Sequence, residues 1–154
     1  MSFFRRKFTV LIVCSANRTR SVYLAGYLRH FLTQHRPGAQ RRIKIISAGT
    51  HAIDGARAND VVALIARNNG FSLRDHAAQK INGRLLRTAD LVLVMENHHR
   101  EALTDIDPAV RGKTFLLGHW GKFEIPDPYK RSQAVWDRAV GLIDQGVADW
   151  ARRL

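Results

Sequence analysis

The chain has 154 residues, 45% of them hydrophobic, so a single domain with a substantial buried core is expected. Its only cysteine, Cys14, excludes an intramolecular disulfide and a cysteine-rich zinc site. The net charge of +12, from 25 basic and 13 acidic residues, favours anionic partners. Because this charge is scattered rather than gathered on a helix with interleaved aromatic residues, nucleic acid is not a predicted partner.

The first residues combine a basic cluster, Arg5–Lys7, with an apolar run, Phe8–Cys14, and so imitate a secretory signal. The run is at the lower length limit for such a signal and polar residues follow at once, so we interpret it as a buried strand. No apolar stretch approaches the ~20 residues of a membrane span, and no stable membrane insertion is predicted. A lone thiol fits a reducing compartment, so the predicted location is the cytoplasm.

Strand and helix patterns alternate along the chain. Four apolar runs predict buried strands: Phe8–Cys14, Ile43–Ser47, Leu91–Met95 and Thr114–Leu117. Helical spacing predicts four helices: from Ser21 to a stop at Pro37-Gly38, from a cap at Asn59-Asp60 to Gly70, over 97–104 and over 135–150. The alternation indicates an α/β fold, a four-stranded parallel sheet with helices on both faces (Rossmann-like, doubly wound), in a single domain over residues 1–154.

The turn after the first predicted strand is the first candidate site, because ligands of such folds bind beyond the carboxyl ends of the strands. It reads Cys14-Ser15-Ala16-Asn17-Arg18-Thr19-Arg20-Ser21. Loop amides and a helix N-terminus can hold an anion, and the Arg20 guanidinium can bind two phosphate oxygens. The same positive field favours a Cys14 thiolate that can attack phosphorus, with the Ser21 hydroxyl as a further donor. The spacing alone is a weak pattern, since buried cysteine is commonly an inert hydrophobe.

A second candidate is the carboxyl group of Asp127, which lies between two prolines in Ile125-Pro126-Asp127-Pro128-Tyr129. The prolines stiffen the backbone, so the segment can hold an acid over a pocket, with Tyr129 as an aromatic wall. Such an acid can protonate a poor leaving group. An ordinary turn is the alternative interpretation, because Asp-Pro is common turn chemistry.

Taken together, the Cys14–Ser21 loop and the Asp127-Pro128-Tyr129 segment resemble the low-molecular-weight protein tyrosine phosphatase family. The segments Ser47–Thr50 and Leu91–Glu96 agree with that pattern. The stretch 111–129 resembles one branch in particular, the bacterial phosphatases paired with tyrosine autokinases of capsule and exopolysaccharide export. The resemblance implies hydrolysis of phosphotyrosine through a cysteinyl-phosphate, no metal or organic cofactor, and a membrane tyrosine autokinase as the phosphoprotein partner.

The resemblance also implies a role for individual residues. Cys14 would be the nucleophile, Arg20 would bind the phosphate, and Asp127 would protonate the leaving group and later activate water. The phosphate-binding loop would consist of Ser15, Ala16, Asn17, Arg18, Thr19 and Arg20, with Ser21, Ser47 and His76 in support and with Ile53 and Tyr129 as pocket walls.

Two positions in the loop depart from the family pattern. Ala16 stands where the family usually has glycine, and if that position needs a positive φ the alanine costs roughly 1–2 kcal/mol. Thr19 replaces a second cysteine that can protect the nucleophile as a disulfide.

Two alternative functions stay open. A non-catalytic phosphate-binding module would need neither the thiol nor the acid, and an arsenate reductase would need further cysteines. The pair His98-His99, near Glu96 and Glu101, can be interpreted as a metal site or as part of a solvated helix surface. Adjacent histidines on a helix point in different directions, so the solvated surface is our interpretation.

Overall fold

Four parallel strands form the centre of the protein: β1 Phe8–Cys14, β2 Ile43–Gly49, β3 Leu91–Val94 and β4 Thr114–Leu116. Their order in the sheet is β2-β1-β3-β4. They are seen in a computed structural model that describes residues 6–154. Arg5 of the basic cluster, and the first five residues of the predicted domain, lie outside the described residues.

Helices cover both faces of this sheet: α1 Arg20–His35, α2 Asp60–Asn68, α3 Gly83–Thr88, α4 Asn97–Ile106 and α5 Gln133–Ala151. Because side chains alternate across a strand, β1 contributes to two apolar clusters. Val10 and Ile12 pack with residues of α1, α2 and α5 on one face. Leu11 and Val13 pack with residues of α3 and α4 on the other. The predicted parallel α/β fold, with helices on both faces, is confirmed.

Every predicted strand and helix is present, with differences at the ends, and the structure adds helix α3 and two short 3₁₀ helices, Ala39–Arg41 and Pro108–Lys113. β2 runs two residues further than predicted, to Gly49, and α4 continues to Ile106. The predicted cap of α2 is present, since the Asn59 side chain accepts hydrogen bonds from the amides of Val61 and Val62. Helix α3 was not predicted, because it has only six residues, two of them arginine, and so presents too short an apolar pattern.

The carboxyl ends of β1 and β2 meet at one edge of the sheet, where Cys14 pairs with Gly49. A side chain at Gly49 would come within 2.4 Å of the Ser15 carbonyl oxygen, so the loop after β1 requires a glycine there. This close approach places the end of β2 directly beneath the candidate phosphate loop. Over residues 6–154, no helix combines the length and the apolar character that a membrane span requires.

Candidate active site

A cavity of about 160 Å³ lies above the start of α1 and contains the predicted reactive groups. Its lining residues are Cys14, Ala16, Arg18, Thr19, Arg20, Asn59, Asp127 and Tyr129. Cys14 is only 2% exposed, whereas the side chain of Asp127 is 51% exposed. The thiol therefore lies at the base of the cavity and the carboxyl group at its rim.

The loop keeps its shape through Asn17, which is fully buried and adopts a left-handed φ of 56°. Its side-chain amide donates to the hydroxyl groups of Ser21, at 2.8 Å, and Ser47, at 3.0 Å. Its side-chain oxygen accepts from the amide of Gln79 at 3.0 Å. Because asparagine tolerates the left-handed region better than most residues, and because both ends of its amide are bonded, it stabilises this turn at modest strain.

His76 completes the network beneath the loop. Its Nε2 lies 2.7 Å from the Asn17 carbonyl oxygen, so Nε2 carries the proton and donates it. Burial is the main cause of the lowered pKa of His76. The charge of Arg29 lowers this pKa further, whereas the hydrogen bond to the Asn17 backbone raises it. The structure thus brings Ser21, Ser47 and His76 together around Asn17, as the resemblance implies.

The Cys14 sulfur lies 3.0 Å from the Ser21 hydroxyl oxygen. Since that oxygen already accepts a hydrogen bond from Asn17, its own proton is free to be donated to the sulfur. The contact therefore points a hydrogen-bond donor at the sulfur, at the base of the cavity.

The Arg20 guanidinium is 3% exposed and is anchored on one side. Its Nη1 donates to the Glu96 carboxylate and, at 2.9 Å, to the Ile125 carbonyl oxygen. Nη2 and Nε donate to no group in the described part of the chain, and Arg20 lines the cavity. The free edge of the guanidinium is thus available for two oxygens of a bound oxyanion.

Asp127 reaches the cavity because its segment is attached to the sheet. The amide of the fully buried Ile125 donates to the Met95 carbonyl oxygen at 2.9 Å, at the end of β3. The Asp127 carboxylate accepts from the amide of Tyr129 at 3.0 Å and lies 3.9 Å from Nη2 of Arg20. The segment from Asp127 to Tyr129 therefore forms the predicted turn and also carries the predicted acid, because the turn orients the Asp127 carboxyl group.

The structure bears on one expectation about the rim and on the condition attached to Ala16. Ile53 was expected to form a wall, but it is absent from the cavity lining and 78% exposed. Ile53 lies in a turn closed by a hydrogen bond from the Ala56 amide to its own carbonyl oxygen, and Asn59 is among the residues that line the cavity. The wall role of Ile53 stays a prediction. Ala16 has no positive φ, so the strain considered for it does not arise; Asn17 takes the left-handed position.

Comparison with known proteins identifies the family. A family model described as low molecular weight phosphotyrosine protein phosphatase matches residues 9–154. The chain belongs to this family. The low molecular weight protein-tyrosine-phosphatase Etp of Escherichia coli K12 is 39% identical to this phosphatase over 147 residues, which cover 95% of this chain and 94% of Etp.

Solved structures agree with that assignment. The crystal structure of the tyrosine phosphatase AmsI of Erwinia amylovora has a TM-score of 0.86 at 35% identity and covers 97% of this chain and 94% of AmsI. The tyrosine phosphatase Wzb of Escherichia coli K30, solved in complex with sulphate, has a TM-score of 0.85 at 35% identity, covering 96% of this chain and 99% of Wzb.

Sequence reasoning missed three residues around the phosphatase cavity. Glu96 holds Arg20, and Gln79 donates its amide group to the Ser47 carbonyl oxygen at 3.0 Å. His99 was expected on a solvated surface together with His98, and for His99 this is wrong, because it is fully buried. Helical spacing is the signal that could have separated the two histidines, because His99 lies one turn before the buried Leu103 and His98 does not.

The ligand atoms of Glu96, His98 and His99 lie within 4.8 Å of one another. A metal ion would have to compete for groups that are already bonded, because the Glu96 carboxylate binds Arg20 and both ring nitrogens of His99 have partners. His98 is 61% exposed, in keeping with its predicted place on the helix surface.

Proposed function

We propose that this protein hydrolyses phosphotyrosine in proteins through a covalent cysteinyl-phosphate, with Cys14 as nucleophile. The observation that carries the proposal is the convergence of Cys14, Arg20 and Asp127 on one cavity, although they come from opposite ends of the chain. A pure binding module needs neither a thiol under the anion nor an acid above it. The chain also lacks the further cysteines of an arsenate reductase, since Cys14 is its only one.

In the first step, the Cys14 thiolate attacks phosphorus and the bond from phosphorus to the tyrosyl oxygen breaks. Asp127 donates its proton to that oxygen, so that a neutral phenol leaves. The free edge of Arg20 and the amides of the loop from Ser15 to Arg20 bind the equatorial oxygens, where charge is spread in the transition state.

In the second step, a water molecule attacks phosphorus from the side that the phenol has left. Asp127, now a carboxylate, accepts the proton of that water, and the sulfur–phosphorus bond breaks. Inorganic phosphate leaves and Cys14 returns as a thiolate, stabilised by the Ser21 hydroxyl.

The depth of the cavity supports an aryl phosphate as substrate. The sulfur belongs to a residue that is 2% exposed, while Tyr129, at the rim, is 51% exposed. A phosphotyrosine side chain can place its phosphate at the base while its ring lies beside Tyr129. Phosphoserine is shorter by the length of that ring, so its phosphate cannot reach the sulfur without backbone entering the cavity.

The finer proposals concern partner, location and extent. The proposed substrate is a phosphorylated segment of a membrane tyrosine autokinase in exopolysaccharide export, supported by the resemblance of residues 111–129 to that branch. The proposed location is the cytoplasm, where the single catalytic thiol stays reduced. Residues 1–154 are proposed as one phosphatase domain, supported by two apolar clusters that share one sheet.

The test is hydrolysis of one peptide sequence carrying phosphotyrosine, phosphoserine or phosphoarginine, with a chelator present and with and without vanadate. Release of phosphate from the phosphotyrosine peptide alone, blocked by vanadate, is expected. The control is Cys14→Ser, which should lose turnover and still bind vanadate. Preference for another phosphorylated residue would overturn the substrate class, and full activity of Cys14→Ser would overturn the mechanism.

A further inference from the structure

His99 is a buried histidine in the first turn of α4 that the proposed chemistry does not use. Its side chain is fully buried, and both ring nitrogens are bonded. Nδ1 lies 3.1 Å from the amide nitrogen of Glu96, and Nε2 lies 2.9 Å from the hydroxyl oxygen of Ser15. An amide N–H can only donate, so Nδ1 accepts, and in the neutral ring Nε2 carries the proton that is donated to Ser15.

The two partners of this ring belong to the two halves of the oxyanion site. Ser15 follows the nucleophile directly, and its carbonyl oxygen also accepts from the amide of His51 at 2.8 Å. Glu96 lies between the end of β3 and the start of α4, and its carboxylate accepts a hydrogen bond from Nη1 of Arg20. Hydrogen bonds therefore link Ser15 to His99 and His99 to the Glu96 backbone, and the side chain of the same Glu96 holds the guanidinium that faces the cavity.

We propose that His99 is a positioning residue that fixes the phosphate-binding loop, through Ser15, relative to the Glu96–Arg20 pair. The inference rests on the proposed function, because it concerns the geometry of the same oxyanion site. Neutral imidazole suits the task, since it offers one acceptor and one donor at opposite ends of a rigid ring. A displacement of about 1 Å between the loop amides and the guanidinium would misplace the phosphoryl group and cost on the order of 100-fold in rate.

The protonation state of the ring supports this role. Burial lowers the pKa of His99 to about 3, and the charges of Arg20, His98 and His51 act in the same direction. The ring consequently keeps its donor and acceptor unchanged near neutral pH. Were it protonated, Nδ1 could no longer accept from Glu96, and a second cation would lie beside Arg20.

The test compares His99→Leu, which removes both hydrogen bonds, with His99→Gln, which can reach Ser15 with its side-chain amide. Leu103→Ala is the matched control, because Leu103 is a fully buried residue of the same helix that packs in the apolar cluster. For each variant, thermal stability, kcat, KM and the Kd for vanadate are measured. Ser15→Ala is made alone and together with His99→Leu.

His99→Leu should lower kcat by about 10- to 100-fold and weaken vanadate binding by about tenfold, whereas His99→Gln should recover part of both. Adding Ser15→Ala to His99→Leu should cost little more, because the shared hydrogen bond is already gone. Leu103→Ala should lose thermal stability while kcat and the vanadate Kd stay within about twofold of the unmodified protein.

Loss of stability in His99→Leu with unchanged kcat and vanadate Kd would reduce His99 to a structural residue and overturn the proposal. Full additivity of Ser15→Ala and His99→Leu would also contradict it. The unmodified protein tests the proposed function separately from the role of His99: if it does not hydrolyse phosphotyrosine, the proposed function fails. The vanadate Kd of the variants then still decides whether His99 positions the oxyanion site.

Discussion

The hydroxyl oxygen of Ser21 lies 3.0 Å from the sulfur of Cys14 and at the same time accepts a hydrogen bond from Asn17. The direction of the second bond determines that of the first, because the serine proton is left to point at the sulfur. Ser21→Ala should therefore remove the hydrogen-bond donor from the sulfur. We expect alkylation of Cys14 by iodoacetamide to slow by about 10- to 100-fold, since a hydrogen bond to a charged group is worth about 1.5–3 kcal/mol.

The matched control for Ser21 is Ser47→Ala. Ser47 accepts from the same Asn17 amide group but is not bonded to the sulfur, so its loss should slow alkylation much less. Equal slowing in the two variants would mean that the network, rather than the direct contact, stabilises the thiolate.

Asp127→Asn tests the acid at the rim of the cavity. Because the proton from Asp127 matters most for a poor leaving group, the phosphotyrosine peptide should lose about 10²–10⁴-fold in kcat. An aryl phosphate with an activated leaving group should lose much less, since its phenolate leaves unassisted. Steady-state kinetics with both substrates check this, and equal losses would remove Asp127 from the acid role.

Arg18 concerns substrate preference rather than chemistry. Arg18 lines the cavity and is exposed, and its Nε donates to the Arg57 carbonyl oxygen at 2.8 Å. No carboxylate of the described residues forms an ion pair with Arg18. Peptides with glutamate beside the phosphotyrosine should have a kcat/KM about two- to fivefold above glutamine peptides, and Arg18→Gln should reduce that ratio.

The matched control for Arg18 is Arg84→Gln. Arg84 is an exposed residue of α3 that does not line the cavity, so this variant should keep the glutamate preference. Raised salt should weaken the preference in the unmodified protein because it screens exposed charges. If Arg18→Gln keeps the full ratio at low salt, the exposed guanidinium takes no part in substrate choice.

Stability should depend on pH through His99. In the unfolded chain this histidine binds a proton below about pH 6.5, whereas its pKa in the folded protein is about 3. The contribution of His99 to the free energy of unfolding is complete above about pH 6.5. It is lost as the pH falls toward 3, by at most about 1.4 kcal/mol per pH unit. The lowered pKa of the half-buried His76 acts in the same direction.

Urea unfolding at several values between about pH 7 and about pH 4 measures that slope. His99→Gln, which cannot titrate, should show a shallower fall in the free energy of unfolding. A slope equal to that of the unmodified protein would mean that His99 takes up its proton in the folded state.

Peroxide should inactivate the protein irreversibly. Oxidation converts the Cys14 thiolate to a sulfenic acid, and because the chain has one cysteine no intramolecular disulfide can stop further oxidation to sulfinic or sulfonic acid. Thiol reductant should therefore restore little activity after prolonged exposure, and mass spectrometry should show the higher oxides. Thr19→Cys provides a neighbouring thiol, and recovery should be greater in that variant.

The sequence by itself determined the features that depend on neighbouring residues. The strands are readable as apolar runs, and the Cys14–Ser21 loop is readable because a strand end, a loop and a helix start are consecutive. The Asn59 cap and the turn at Asp127 are likewise local, since their hydrogen bonds join residues two or three positions apart. The parallel fold then follows from the alternation of strands and helices.

Only the tertiary structure decided which distant side chains meet. Pairing of β3 beside β1 brings the start of α4 next to the phosphate loop, so Glu96 contacts Arg20 and His99 contacts Ser15. The same arrangement buries His99 against the loop and leaves its neighbour His98 exposed. The physical reason is that strand order sets these contacts, and strand order arises from packing the whole sheet rather than from any local pattern.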